Sequence, residues 1–182
     1  METRKTSFAY DYAAMEAYAL QYWGPDTSDY NQDFRTYDND CTNFMSQIVL
    51  AGGWTEVGAY PINDRTSNSN WWYNSLGTFA TTYTWAGAHN WYFFAQQESQ
   101  RTSHIDNVYK ALVTDIIQVD WSPTGAPDGT LDHTMIVTDR DPGDDGLAVE
   151  LYLTYHTSNQ KNKSLSRIKA ERPNTIWYAH RT

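Results

Sequence analysis

One cysteine, Cys41, stands in 182 residues, so the chain can form no internal disulfide and no multi-cysteine zinc site. Basic residues are also few: thirteen Lys and Arg face twenty-two Asp and Glu, a formal net charge of −9. An anionic chain meets a polyanion repulsively, which argues against nucleic acid as a partner. No apolar run approaches the roughly 18 residues of a membrane-spanning helix. The longest candidates, Ile48 to Gly53 and Ile116 to Val119, fall far short. Charged residues open the chain from Met1 to Ser7 with no apolar segment behind them, so no signal peptide is expected there. Rings, by contrast, are abundant: Trp, Tyr and Phe make up 15% of the sequence. A disordered acidic chain would be poor in them. The length and the 40% apolar content suit a single domain over residues 1–182 with one core, and a monomer is the default.

Periodicity divides the chain in two. Phe8 to Trp23 carries Ala and Tyr at helical spacing and stops at Gly24-Pro25, and Cys41 to Ala51 brings Phe44, Met45, Ile48 and Val49 together before Gly52-Gly53. Both read as helices, the second with Asp40 as N-cap and a glycine C-cap. Trp54 to Asn74 reads as an aromatic-rich loop that could line a groove. A short helix is expected at Ala86 to Glu98 and a polar helix or connector at Thr102 to Ala111. Strand patterns follow at Ile116 to Trp121, His133 to Thr138, Leu147 to His156 and Thr175 to Ala179. Helices first and strands afterwards predict an α+β fold with N-terminal helices packed on a C-terminal antiparallel sheet. The turn Asp-Pro-Gly-Asp-Asp-Gly between the second and third strands predicts a hairpin. Symmetric pairing across it sets His133 opposite His156.

A thiol becomes a nucleophile when its thiolate is stabilised, which a helix N-terminus and a nearby imidazole both do. Cys41 has the helix start. His133 is the best placed base, and His156 would orient it, in the manner of a catalytic triad. Burial as a small hydrophobe is the competing reading of a lone cysteine. His89, His104 and His180 have no acidic or cysteine neighbours at ligand spacing, and no carboxylate pair suits glycosidase work.

Several segments together carry a family likeness. Asp40-Cys41-Thr42-Asn43-Phe44-Met45-Ser46-Gln47 with Ala51-Gly52-Gly53 resembles the DCTNFxSQ…AGG signature of the putative amidase domain family, papain-like cysteine hydrolases related to NlpC-type and CHAP cell-wall peptidases. Trp71-Trp72-Tyr73, Thr84-Trp85, Asp115-Ile116-Ile117, Asp132-His133-Thr134 and Tyr155-His156-Thr157-Ser158-Asn159 resemble further elements of that family in the same order, from about Ala9 to Leu165. The resemblance implies a papain-like fold and a cysteine-dependent amidase or peptidase needing no cofactor and no metal. It makes Cys41 the nucleophile, His133 the general base and acid, and His156 the orienting residue, with Asn159 as the alternative. Asn39 and Asp40 are candidates for the oxyanion site beside the Cys41 N–H, and Trp72 and Trp85 for substrate stacking. The implied substrate is a peptidoglycan peptide or amide bond, and the implied setting is bacterial and secreted or cell-surface, as part of a longer precursor or exported effector. Where family members carry an Asp-rich loop before the histidine, this chain has Asp120 to Asp132 interrupted by Ser, Pro and Ala, which spreads the acids too far for a calcium loop. Rival readings are a papain-like toxin with an immunity or inhibitor protein, an acyltransferase, and a non-catalytic wall- or glycan-binding module.

Overall fold

Asp11 starts the first helix, α1 (Tyr12–Tyr22), its carboxylate accepting the Ala14 N–H at 2.9 Å. That contact satisfies one of the N–H groups that every helix start leaves without an intrahelical partner. The structure, a computed structural model, describes residues 10–121 and 126–182, so Phe8 and Ala9 of the expected first helix lie outside the described residues. The second helix, α2 (Cys41–Ala51), ends as its glycines predict. Gly53 takes φ 97°, and the N–H groups of Gly52 and Trp54 return to Ile48 and Val49. A Cβ on Gly52 would collide with Met15, so the glycine also lets α1 approach α2 closely.

Nine successive residues of α2, Cys41 to Val49, are buried, so this is a central helix rather than one with a single apolar face. Its buried polar side chains must then find partners within the protein. Asn43 Nδ2 donates to Arg35 O and its Oδ1 accepts from Trp85 Nε1 at 2.7 Å. Ser46 Oγ donates to Trp85 O and accepts from Trp71 Nε1, and Gln47 Oε1 accepts from the Tyr18 hydroxyl. These contacts also place the aromatic-rich loop. Trp71 and Trp85 pack with centroids 4.8 Å apart, and Trp54 stacks on Trp91 at 5.8 Å. Trp54, Trp71, Trp85, Trp91 and Phe94 join Met45, Ile48 and Val49 in one core cluster, so the expected groove lining is core instead.

After two short helices, α3 (Tyr83–Ala86) and α4 (Ala88–Tyr92), a π-helical turn follows at Phe93–Glu98. One helix was expected across Ala86 to Glu98, and Gly87, in extended backbone, divides it. Among the described residues six antiparallel strands form one sheet: β1 (Ser103–Ile105), β2 (Ile116–Asp120), β3 (His133–Pro142), β4 (Ala148–Tyr155), β5 (Gln160–Ser164) and β6 (Ile176–Arg181), in the order β1-β6-β2-β3-β4-β5. The expected polar helix or connector at Thr102 to Ala111 is thus in part an edge strand, held by β6 through Ser103↔Arg181 and Ile105↔Ala179. Its sequence is too short and polar to show a period. Helices α1 to α4 lie on the sheet face of Ile116 and Ile136, while α5 (Leu165–Glu171) covers the face of Ile117, Val119, Met135 and Val137. The chain is therefore α+β, with the thiol-bearing helix laid against the sheet.

The β3–β4 register departs from the symmetric expectation. Ile136 faces Thr154 and Val137 faces Leu153, one residue off, and a bulge follows before Asp139 faces Tyr152. The hairpin loop is asymmetric: Asp145 sits at φ 62° within a 3-10 turn, and Gly143 N–H bonds Leu147 O. A one-residue slip moves side chains to the opposite face. His133 therefore shares the face of Met135 and Val137, while His156 shares that of Thr154, and the two histidines do not meet.

Candidate active site

Cys41 is the first residue of α2, and its Sγ is buried at 2% residue exposure. As the opening residue it has a backbone N–H with no intrahelical acceptor, at the positive end of the helix. The thiol donates to Asn39 Oδ1 at 3.5 Å and lies 3.6 Å from Thr42 Oγ1. Thr42 Oγ1 in turn lies 2.9 Å from Thr134 Oγ1 of β3. Burial pushes the Cys41 thiol up from its ordinary value, opposed by the Thr42 hydroxyl and by the backbone of Thr134 and Thr42. The resting sulfur is accordingly a protonated thiol.

His133 immediately precedes Thr134, yet its ring turns to the other face of the sheet. It stacks on Trp121 at 5.0 Å and meets Tyr155 edge-on at 4.9 Å. Its Nε2 has no hydrogen-bond partner among the described residues. Burial, with a smaller contribution from Arg172, lowers its pKa to about 3. The structure thus sets Cys41 and His133 on adjoining elements without a direct bond between them. Thiol and imidazole are both neutral.

Sequence reasoning did not find the pairing of Asp40 with His156. Asp40 occupies the N-cap position, but its side chain caps no helix N–H. Oδ1 accepts from Tyr37 N and Asn43 Nδ2, and Oδ2 lies 2.6 Å from His156 Nδ1. His156 Nε2 faces Tyr22 O at 2.8 Å. Both ring nitrogens are thereby engaged, so His156 does not orient His133. The imidazole lies between Tyr30 and Phe44, with centroids at 3.6 and 3.8 Å and near-parallel planes. Asn159 Oδ1 accepts from the Tyr30 hydroxyl at 2.6 Å, and Thr157 Oγ1 accepts from Asp40 N at 2.9 Å. Asn159 therefore belongs to this cluster and not to His133, and the Asp40 N–H is already engaged rather than open to an oxyanion. The signal was present in the sequence: an acid adjoining the cysteine and a histidine in a polar strand end. Only the bulged register joins them.

Of the remaining candidates, Asn39 is exposed and touches the thiol. Trp72 and Trp85 are buried walls, bonded through their indole N–H to Ala80 O and Asn43 Oδ1, so neither presents a ring face to solvent for stacking. Asp120 accepts from Asp128 N and Gly129 N, and Asp132 from Trp121 N. These acids hold turns; residues 122–125 of that loop lie outside the described residues. A cavity of about 370 Å³ lies nearby, lined among others by Tyr37, Arg65, Tyr83, Gly87 and Asn90. The Tyr37 N–H bonds the Asp40 carboxylate, which places this wall of the cavity beside the start of α2.

The neutral histidines carry a consequence for stability. His133 and His180 are both buried, and both titrate at about 3, below the unfolded value of about 6.5. Each therefore stabilises the fold fully above pH 6.5, and that contribution is lost as pH falls toward 3. The slope is about 1.4 kcal/mol per pH unit for each ring. Thermal melts are expected to be level from pH 8 to 7 and to drop by about 10 °C at pH 5. A midpoint unchanged at pH 5 would show that these rings are not buried in the neutral form.

A family model described as a putative amidase domain matches residues 9–179. Among curated proteins, the uncharacterized protein YhbB of Bacillus subtilis (strain 168) is 27% identical over 139 residues, 75% of this chain and 40% of that protein. The uncharacterized protein YjcM of the same strain is 30% identical over 159 residues, 83% of this chain and 31% of its own length. The chain thus spans well under half of either relative. No solved structure matches it.

Proposed function

Because the chain belongs to the putative amidase domain family, we propose that it hydrolyses amide bonds with Cys41 as nucleophile and His133 as base, in a papain-like arrangement. One observation carries the reading. The single cysteine opens a central helix, with its thiol against Thr134, the residue after a buried histidine whose Nε2 lacks a partner. A buried polar atom left unpaired in a folded protein needs an explanation, and for an ionisable ring nitrogen next in sequence to the residue against the thiol, proton transfer supplies one. In this reading the His133 ring, on the first residue of β3, leaves Trp121 and Tyr155 as substrate enters, swings past the strand end to the face of Thr134 and takes the thiol proton.

The sulfur then attacks the carbonyl carbon, and His133 passes the proton to the departing amine, leaving a thioacyl enzyme. Water, deprotonated by His133, releases the acid and restores the thiol. The Cys41 N–H at the helix start, with Asn39 beside it, would meet the oxyanion. A neutral pair suits this general-base route, since no thiolate has to exist before substrate binds. The sequence resemblance to cell-wall hydrolases favours peptidoglycan peptide or amide bonds and an exported or cell-surface enzyme.

The test is digestion of purified peptidoglycan and its soluble fragments in ¹⁸O-water with mass-spectrometric readout. Expected is cleavage with one ¹⁸O incorporated into the new carboxyl, and a loss of about 10²- to 10⁴-fold in His133→Ala. Undiminished cleavage by that variant would remove His133 from the mechanism. Transfer of the acyl group to an added amine in place of water would make the enzyme an acyltransferase.

A further inference from the structure

A polar chain runs from the centre of the sheet to the thiol, and its hydrogen-bonding sense can be read without seeing hydrogens. Gln118, fully buried on β2, lies 2.8 Å by Nε2 from Ala88 O and 3.1 Å from Thr134 Oγ1. A carbonyl oxygen only accepts, so Ala88 fixes which end of the amide faces it, and one Nε2 hydrogen goes there. The other goes to Thr134 Oγ1. Thr134 accepts there and keeps its own hydrogen, and because the S–H is committed to Asn39 Oδ1 the Thr42 hydroxyl meets the sulfur only as a donor, so the 2.9 Å bond between the two threonines runs from Thr134 to Thr42 Oγ1. Thr42 then has its hydroxyl hydrogen left for Cys41 Sγ at 3.6 Å, a distance suited to a sulfur acceptor. The S–H itself points away, to Asn39 Oδ1. Gln118 Oε1 is left without a partner among the described residues, so the amide is held by what its nitrogen does.

We propose that Gln118 and Thr134 are positioning residues, which fix the direction of the Thr42 hydroxyl so that it donates to Cys41 Sγ and favours the thiolate over the thiol. A thiolate can only accept, and this chain ends in a donor. If the chain ran the other way, Thr42 would offer a lone pair to the sulfur and favour the thiol instead. Hydrogen bonds to a charged acceptor are the stronger kind, and Cys41, Thr42, Thr134 and Gln118 are all buried, so a fixed donor acts with little reorganisation. The proposal rests on Cys41 as nucleophile, but its own prediction concerns the thiol and can be read without substrate.

The single cysteine makes the measurement direct: a chain labelled with carbon-13 at the cysteine Cβ gives one resonance, whose shift with pH reports the ionisation of the thiol. Thr42→Val is expected to raise the titration midpoint by about one pH unit, and Thr134→Val and Gln118→Met by about half a unit each, in the same direction. Thr134→Ser, which keeps the hydroxyl, is expected to restore the wild-type midpoint. A change in Thr42→Val alone would mean that Thr42 acts without the chain and would overturn the proposal. So would midpoints unmoved in all variants alongside lower melting temperatures, the sign of a merely structural network. Should Thr134→Val fold poorly, Gln118→Met against wild type decides the same question. If peptidoglycan is not cleaved and these midpoints still shift, the hydrolase reading fails and the donor chain stands.

Discussion

Cys41→Ser is expected to lower amide cleavage by at least about a thousandfold while leaving the melting temperature within a few degrees of wild type. A serine hydroxyl ionises far less readily than a thiol and is the poorer nucleophile in a site built around sulfur. The size match keeps the packing, and the hydroxyl can still bond Asn39 and Thr42. Paired kinetic and calorimetric measurements separate the two roles. Lost activity with an unchanged melt marks a nucleophile, whereas retained activity would make the cysteine incidental and direct attention to binding.

Asp40→Ala is expected to have the largest effect on stability, about 3 to 5 kcal/mol, seen as a fall of about 10 °C or more in the melting midpoint. The side chain is buried and serves three donors at once: the Tyr37 N–H, Asn43 Nδ2 and His156 Nδ1. Removing it strands all three inside the protein. Asp40→Asn is expected to cost clearly less, because its carbonyl can keep the Tyr37 and Asn43 contacts. Equal losses in the two variants would show that the charge on Asp40, rather than its hydrogen-bonding, holds the cluster together.

Much of this architecture was legible. Cys41 to Ala51 declared itself by the spacing of Phe44, Met45 and Ile48 and by its terminal glycines, and the strands at Ile116, His133 and Ala148 by their apolar alternation. These signals are local, and backbone geometry answers to them directly. The burial of the polar residues of α2 was not legible, because Asn43, Ser46 and Gln47 look like solvent-facing residues. They are buried because indole and phenol groups far along the chain satisfy them, and pairing at that separation leaves no periodic trace. The site shows the same limit. Cys41 and His133 stood out by type and position, but which histidine meets which acid turned on a one-residue shift and a bulge in β3–β4. A symmetric turn could not foretell either. Thr134 and Gln118 carry no chemical label at all and became visible only through their distances.

The His156 cluster also bears on how the molecule folds. It joins Tyr22, Tyr30 and Asp40 to a strand end 116 to 134 residues away along the chain, contacts of high sequence separation that form slowly. Until β4 docks, the floor beneath the first turn of α2 is missing, and the sulfur stays open to solvent and to oxidants. Nascent chains that meet one another in that interval can cross-link through their one thiol, so yield on refolding should rise with dilution and with added reductant, even though the finished protein contains no disulfide.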